Sequence, residues 1–255
     1  MRFWLAAILS LSVASAAPAQ SDRGTAILIF SHTTGFRHDS IPDGIRAISA
    51  IAQRRGMQVV ASEDPRMFDD ANLLRFGAIV LLSTTTDPKL PASEWLVGER
   101  RAALQDFVGR GGGILAIHAA ADSHYHWPWY AHLIGGRFER HPPGTAKGRI
   151  SMTDPSYRLS RGLPAVFEHT DEWYYFADFD PSSTVVATLD PASIGEKDVN
   201  PNPVTWSRKV GGGRVFYTAM GHTKESYSEP HFLKQLENGL VWILESAGSD
   251  PEPRP

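Results

Sequence analysis

GGGILAIHAAADSHYHWPWYAHLIGGRFERHPP, running from Gly111 to Pro143, is the stretch whose reading decides the fold. It opens with three glycines and a short apolar run, Ile114-Leu115-Ala116-Ile117, of the length of a buried strand. The run stops at His118, and Ala119, Ala120 and Ala121 follow. A strand that ends at one polar residue and turns through small ones presents that side chain at its carboxyl end. Open α/β sheets bind their ligands at that edge. Imidazole is also the side chain most easily poised near neutral pH. Further imidazoles come at His124, His126, His132 and His141, interleaved with Trp127, Pro128, Trp129 and Tyr130.

Upstream of this stretch the chain alternates strands and helices. TAILIF (Thr25 to Phe30) and FGAIVLL (Phe76 to Leu82) are continuous apolar runs, as expected of parallel strands buried on both faces. Gln58 to Ala61 reads as a strand between them. Asp39 or Ser40 can cap the helix after the first strand, with Pro42 in its first turn and Ile45, Ile48 and Ala52 on its apolar face. Asp69 to Arg75 reads as a short helix. Glu94 to Gly109 reads as a longer one, with Leu96, Ala103, Leu104, Phe107 and Val108 inward. This order implies a parallel sheet with right-handed crossovers. The exits of its strands gather His32, Arg37, His38, Ser83, Thr84 and His118 at one edge.

After Ile150 the texture changes to short segments with many prolines. Thr170-Asp171-Glu172-Trp173-Tyr174-Tyr175 joins carboxylates to aromatics. Ser183 to Leu189 reads as a strand. Val204 to Lys209 and Arg214 to Thr218 flank Gly211-Gly212-Gly213 and read as an antiparallel hairpin, with Gly221-His222 beyond its exit. Pro230 to Ser246 reads as a closing helix.

The chain of 255 residues carries a formal charge of −3 and no cysteine. Thiol nucleophiles, thiolate metal sites and disulfides are thereby excluded. With no basic tract, nucleic acid is not an expected partner. Arg2, the apolar run Phe3 to Val13 and the small residues after it read as a secretory signal peptide over residues 1–19. The run is too short to span a membrane, so the expected location is periplasmic or secreted, with no membrane contact after cleavage. One domain over residues 24–247 and a disordered, proline-rich tail over 248–255 complete the expected organisation.

His118 can act as base, metal ligand or hydrogen bonder. A histidine satisfied at a strand end is the plainer alternative. Arg37 and His38 suit a polar or anionic ligand. Asp171 and Glu172 can supply acid–base groups, while Trp127, Trp173 and Tyr174 offer aromatic faces to a sugar ring. His118, His141 and His222, with Glu172, form a candidate set for a divalent metal such as zinc. No close-spaced metal motif is present, and His124 and His126 read as a solvated loop. The glycine triplet at Gly111 precedes a strand, so it is not a nucleotide-binding loop. No G-x-S-x-G elbow occurs.

Six segments in order resemble the ThuA-like, or trehalose-utilisation, family. They are GFRHDSI (Gly35 to Ile41), GGGILAIHAA (Gly111 to Ala120), WPWY (Trp127 to Tyr130), GGRFERHP (Gly135 to Pro142), DEWY (Asp171 to Tyr174) and GGGRVFYTAMGH (Gly211 to His222). The resemblance implies a flavodoxin-like three-layer α/β sandwich with a mostly parallel sheet. Its type is that of the class I glutamine amidotransferases, with inserted loops and an antiparallel hairpin in the C-terminal half. In that fold a nucleophilic cysteine sits at the strand-to-helix elbow, where this chain has His118, so glutamine hydrolysis by a thiol is ruled out. Asn202-Pro203 departs from the His-Pro that relatives often carry. The resemblance further implies carbohydrate catabolism. An enzyme acting on a disaccharide, glycoside or keto-sugar, as hydrolase, lyase or isomerase, is one expectation. A non-catalytic periplasmic sugar-binding or accessory protein is the other.

Overall fold

In the computed structural model, residues 26–197 and 200–245 are described. The expected leader (1–19), the expected tail (248–255) and the outermost residues of the expected domain lie outside them. None of the described helices is long and apolar enough to cross a membrane.

The first half runs β1 (Ala26–Phe30), α1 (Ile41–Arg54), β2 (Gln58–Ser62), α2 (Asp70–Leu73), β3 (Phe76–Leu82), α3 (Glu99–Gly109) and β4 (Gly113–Ile117). The second half runs α4 (Pro128–Ile134), β5 (Arg137–Arg140), β6 (Ala146–Met152), β7 (Val166–Asp171), β8 (Tyr175–Ala177), β9 (Thr184–Asp190), β10 (Asn202–Val210), β11 (Gly213–Thr218) and α5 (Pro230–Leu244). One nine-stranded sheet has the order β2-β1-β3-β4-β11-β10-β9-β6-β7, and β5 pairs with β8 apart from it. From β2 to β11 every pairing is parallel. β1, β3 and β4 are buried at every residue, as their unbroken apolar runs require. The expected hairpin is β10–β11, and the antiparallel part continues beyond it through β9, β6 and β7.

The two glycine triplets lie side by side, with Gly113 under α5 and Gly212 and Gly213 against the end of α3. A Cβ on Gly113 would sit 2.5 Å from the carbonyl oxygen of Ile243, and one on Gly213 would sit 2.6 Å from that of Gly112. Only a residue without a side chain lets these backbones approach so closely. This packing sets β4 and β11 in register, so His118 and the β11 exit loop leave the sheet together.

Two local expectations are corrected. Ser40 precedes α1 but its side chain does not cap it; the hydroxyl donates to Gly221 O at 3.0 Å, tying the β1 exit to the β11 exit. The helix expected from Glu94 begins only at Glu99, because Gly98 takes φ +56° and breaks the run. Glu94 instead turns inward. Its carboxylate accepts the His126 N–H at 2.6 Å and pairs with Arg101 at 2.7 Å, 3.9 Å from Nδ1 of His124. The segment after β4 is thereby fastened to the entrance of α3.

Burial alone would favour neutral Glu94. The neighbouring His124, the His126 N–H and the charge of Arg101 outweigh it and bring the carboxyl down from 4.5 to about 2. A depressed carboxyl contributes stability above its unfolded value and loses it as pH falls through the folded one. Glu94→Gln should therefore cost about 1.5–3 kcal/mol at neutral pH, as expected for a charged hydrogen bond. The gap in melting temperature from the parent should stay constant down to roughly pH 5 and then close towards pH 2. A gap that persists unchanged into strong acid would show that charge is not what Glu94 contributes.

Candidate functional site

His118 is the first residue after β4 and is fully buried. Its φ of +50° lies in the left-handed region, a strain of about 1–3 kcal/mol that persists only where surrounding contacts enforce it. Two contacts do so. Tyr217 Oη donates to the His118 carbonyl at 2.9 Å, and His118 Nδ1 lies 2.7 Å from Ala219 O. A carbonyl only accepts, so Nδ1 carries a proton, and Nε2 is the ring nitrogen that faces the rest of the cluster. Nε2 lies 3.2 Å from His222 Nδ1 and 3.6 Å from Glu172 Oε2.

His222 Nδ1 is in turn 3.3 Å from Glu172 Oε2. His38, on the loop after β1, completes the group. Its ring stands nearly perpendicular to those of His118 and His222, with centroids at 4.8 and 5.0 Å. His38 is 3% exposed, and its Nδ1 has no hydrogen-bond partner. One ligand atom from each of His38, His118, Glu172 and His222 lies within 4.8 Å of the others.

The electrostatics divide the four residues. Burial, reinforced by the charges of His118 and His222, lowers His38 to about 2 and keeps it neutral. Burial works against ionised Glu172, but hydrogen bonds and charge from His118 and His222 hold its carboxyl well below the usual range. The Glu172 hydrogen bond and charge raise His222 against the opposing effect of burial. The site therefore pairs an ionised carboxylate with one readily protonated imidazole, beside an imidazole that stays neutral.

Asp171 builds the geometry. It is fully buried and accepts from the N–H groups of Gly221 (2.7 Å), His222 (3.0 Å) and Glu172 (3.0 Å) and from Ser226 Oγ (3.0 Å). His169 Nε2 lies 3.1 Å away. Expected as a catalytic acid, Asp171 has no surface left for a substrate and is a positioning residue.

Tyr174 walls the site, with its ring 4.3 Å from His118 on one side and 4.3 Å from Phe138 on the other. Phe138 opens onto a cleft of ≈ 460 Å³ lined also by Pro88, Tyr125, Arg137, Glu139 and Ala177. Asp122, one short turn beyond His118, accepts the Tyr125 hydroxyl. Burial raises its carboxyl to about 6 despite that bond.

The structure brings together His38, His118, Glu172 and His222, with Tyr174 as a wall. His141, expected as a metal ligand, stands at the rim, its Nδ1 3.2 Å from the other oxygen of Glu172. Trp173, expected on a sugar face, is a core residue, 1% exposed, with its Nε1 donating to Ala146 O. Trp127 packs away from His118, stacked on Trp129 under the Arg101 guanidinium. Arg37 is exposed and paired with Glu63. His124, expected in a solvated loop, is buried against Trp95 and Tyr130, because the Glu94 anchor folds its segment inward. Asn202 donates to Tyr174 O at 2.8 Å, so the departure from His-Pro supports the wall of the site. Asp122 and Glu94 were missed. Asp122 follows the strand-end histidine by four residues, and that spacing was the available signal.

The architecture is that of the glutamine amidotransferase-like α/β proteins. The chain belongs to the ThuA family, trehalose utilisation, whose model matches residues 26–243. Among solved structures it is similar to a ThuA-like protein of Bacteroides uniformis, with 20% identity and a TM-score of 0.70, covering 89% of this chain and 95% of that one. A ThuA-like protein of Parabacteroides merdae shares 17% identity with a TM-score of 0.69, covering 90% and 94%. A cytoplasmic protein of Salmonella typhimurium shares 11% identity with a TM-score of 0.59, covering 86% and 98%. At these identities the likeness carries the fold alone. No curated protein matches the chain. Family membership supports a carbohydrate-related role.

Asp171→Asn converts one accepting oxygen into a donor facing donors. It should lower stability by about 2–4 kcal/mol, read as a fall of roughly 5–15 °C in melting temperature. Unchanged melting would remove Asp171 from its place as the organiser of the site.

Proposed function

We propose that this chain is an exported enzyme of carbohydrate catabolism that moves a proton on a disaccharide, glycoside or keto-sugar. The observation that supports this reading is the convergence of three imidazoles and a carboxylate on the strained strand end at His118. A sugar-binding protein would present open aromatic faces. Here Trp173 is in the core and Trp127 is 7% exposed, so the aromatics do not form a platform.

The chemistry follows from charge. A carbonyl in a sugar acidifies the neighbouring C–H, and positive charge beside the carbonyl oxygen stabilises the enediolate. His222, favoured in its protonated form by Glu172, supplies that charge. His118 holds the cluster together from the strained elbow. Asp122, raised to about 6 by burial and bonded to Tyr125 of the cleft lining, takes the proton from carbon and returns it. The cleft between Tyr125, Arg137 and Phe138 has the size and the mixed aromatic and polar lining of a mono- or disaccharide site. Export rests on the apolar run Phe3 to Val13 and the small residues after it.

The decisive experiment is a screen of disaccharides and their keto derivatives with the purified chain, followed by two variants. Asparagine tolerates positive φ, so His118→Asn should melt close to the parent while losing about 10²–10³-fold in kcat/KM. Asp122→Asn should lose about 10²–10⁴-fold. A base must be deprotonated to act, so parental activity should rise with pH through about 6, and Asp122→Asn should lack that limb. Full activity in both variants would refute the reading.

Export is tested separately. Periplasmic material should lack residues through Ala16 or Ala19 by intact mass, and retention of Met1 would refute it.

A further inference from the structure

The geometry points to a divalent transition-metal site, of the zinc class, held by His38, His118, His222 and Glu172. The inference rests on the site assigned above and deepens it, by naming the source of positive charge at the cluster.

Distances decide between a metal site and a plain hydrogen-bonded triad. A charge-assisted hydrogen bond between imidazolium and carboxylate closes to about 2.7–2.9 Å. The two imidazole–carboxylate separations are both longer, 3.3 Å for His222 Nδ1 to Glu172 Oε2 and 3.6 Å for His118 Nε2 to Glu172 Oε2, and the two ring nitrogens lie 3.2 Å apart. A tetrahedron with arms of about 2.0–2.1 Å, the usual zinc–nitrogen and zinc–oxygen lengths, has edges of roughly 3.3–3.4 Å. The three atoms thus mark out one face of such a tetrahedron, with Oε2 and the two imidazole nitrogens at its corners. His38 provides the fourth imidazole-or-carboxylate donor, since all four residues offer an atom within 4.8 Å of the rest.

The tautomers fit as well. Metal-bound histidines almost always donate their other N–H to a carbonyl or carboxylate. His118 does so to Ala219 O at 2.7 Å, which leaves Nε2 as the ligand atom. Buried His38 has an unpartnered ring nitrogen beside the cluster. Asp171 fixes the backbone of His222 and Glu172 at once, the part that outer residues play in metal centres. Three imidazoles and one carboxylate select zinc and its first-row neighbours over calcium or magnesium, which prefer oxygen ligands. Such an ion would supply Lewis acidity to a sugar oxygen entering as a fifth donor, and His118 and His222 would then hold the cation rather than carry charge themselves.

The test is metal analysis of the full mature chain, stripped with chelator, reloaded with Zn²⁺ alone and dialysed. One ion per chain should remain, and reloading with Co²⁺ should give the intense visible absorption of a tetrahedral centre. His118→Asn and His222→Ala should each retain less than about a tenth of an equivalent. Asp171→Asn should bind some 10–100-fold more weakly. His231→Ala, a change to a half-exposed histidine outside the cluster, should load like the parent. A parent chain that retains no ion, or cluster variants that load fully, would overturn the inference. Activity separates it from the reading beneath it. Full turnover by stripped protein would remove the metal and leave the enzyme. Stoichiometric metal without turnover of any carbohydrate would leave the site and remove the enzyme.

Discussion

A buried carboxylate must find donors for its lone pairs, and the way Asp171 finds them shapes everything around it. It sits at the end of β7, at the far margin of the sheet, yet it bonds to the loop that leaves β11. The long antiparallel extension is therefore not decoration on a parallel core. It carries the DEWY segment back to the carboxyl edge, where Glu172 faces His118 and His222. Without Asp171, the residue that supplies the negative charge and the loop that supplies an imidazole would have no common anchor.

The second constraint is the strained elbow. His118 takes a positive φ that an L residue adopts at a cost, enforced from β11 through Tyr217 and Ala219. The elbow aims an imidazole nitrogen into a group of other imidazoles. Glycine contacts between the two triplets, packed against Ile243 of α5 and Val108 of α3, hold β4 and β11 in the register that this requires.

The polar interior at this edge is arranged in two separate groups. One is the imidazole–carboxylate cluster beneath the Tyr174 wall. The other is Glu94, which fastens the segment after β4 through His126 and Arg101 and encloses His124. Asp122 and Tyr125 lie on that segment, between cluster and cleft. Fixing the segment at Glu94 thus fixes the group proposed to exchange the proton.

Amino-acid order alone determined the parallel half of this protein. β1, β3 and β4 are unbroken apolar runs, and such runs have few stable places other than a sheet covered on both faces. It determined the strand-end place of His118 as well, because a polar residue that stops an apolar strand can only stand at its exit. Spaced motifs placed His38, Glu172 and His222 among the candidates. What tertiary structure alone decided is which of them meet. Trp173 and Glu172 are neighbours in the link between β7 and β8, but the indole turns into the core, where it donates to Ala146 O, and the carboxylate turns into the cluster. Asp171 and Glu172 look equivalent in the sequence, and only the groups around each make one a buried anchor and the other a member of the imidazole cluster. Glu94 and His124 read as helix and solvent, because their burial depends on each other across a long separation that no local pattern records. Hydrophobic periodicity is a local property, whereas the pairing of buried charge is settled by whatever the fold brings alongside.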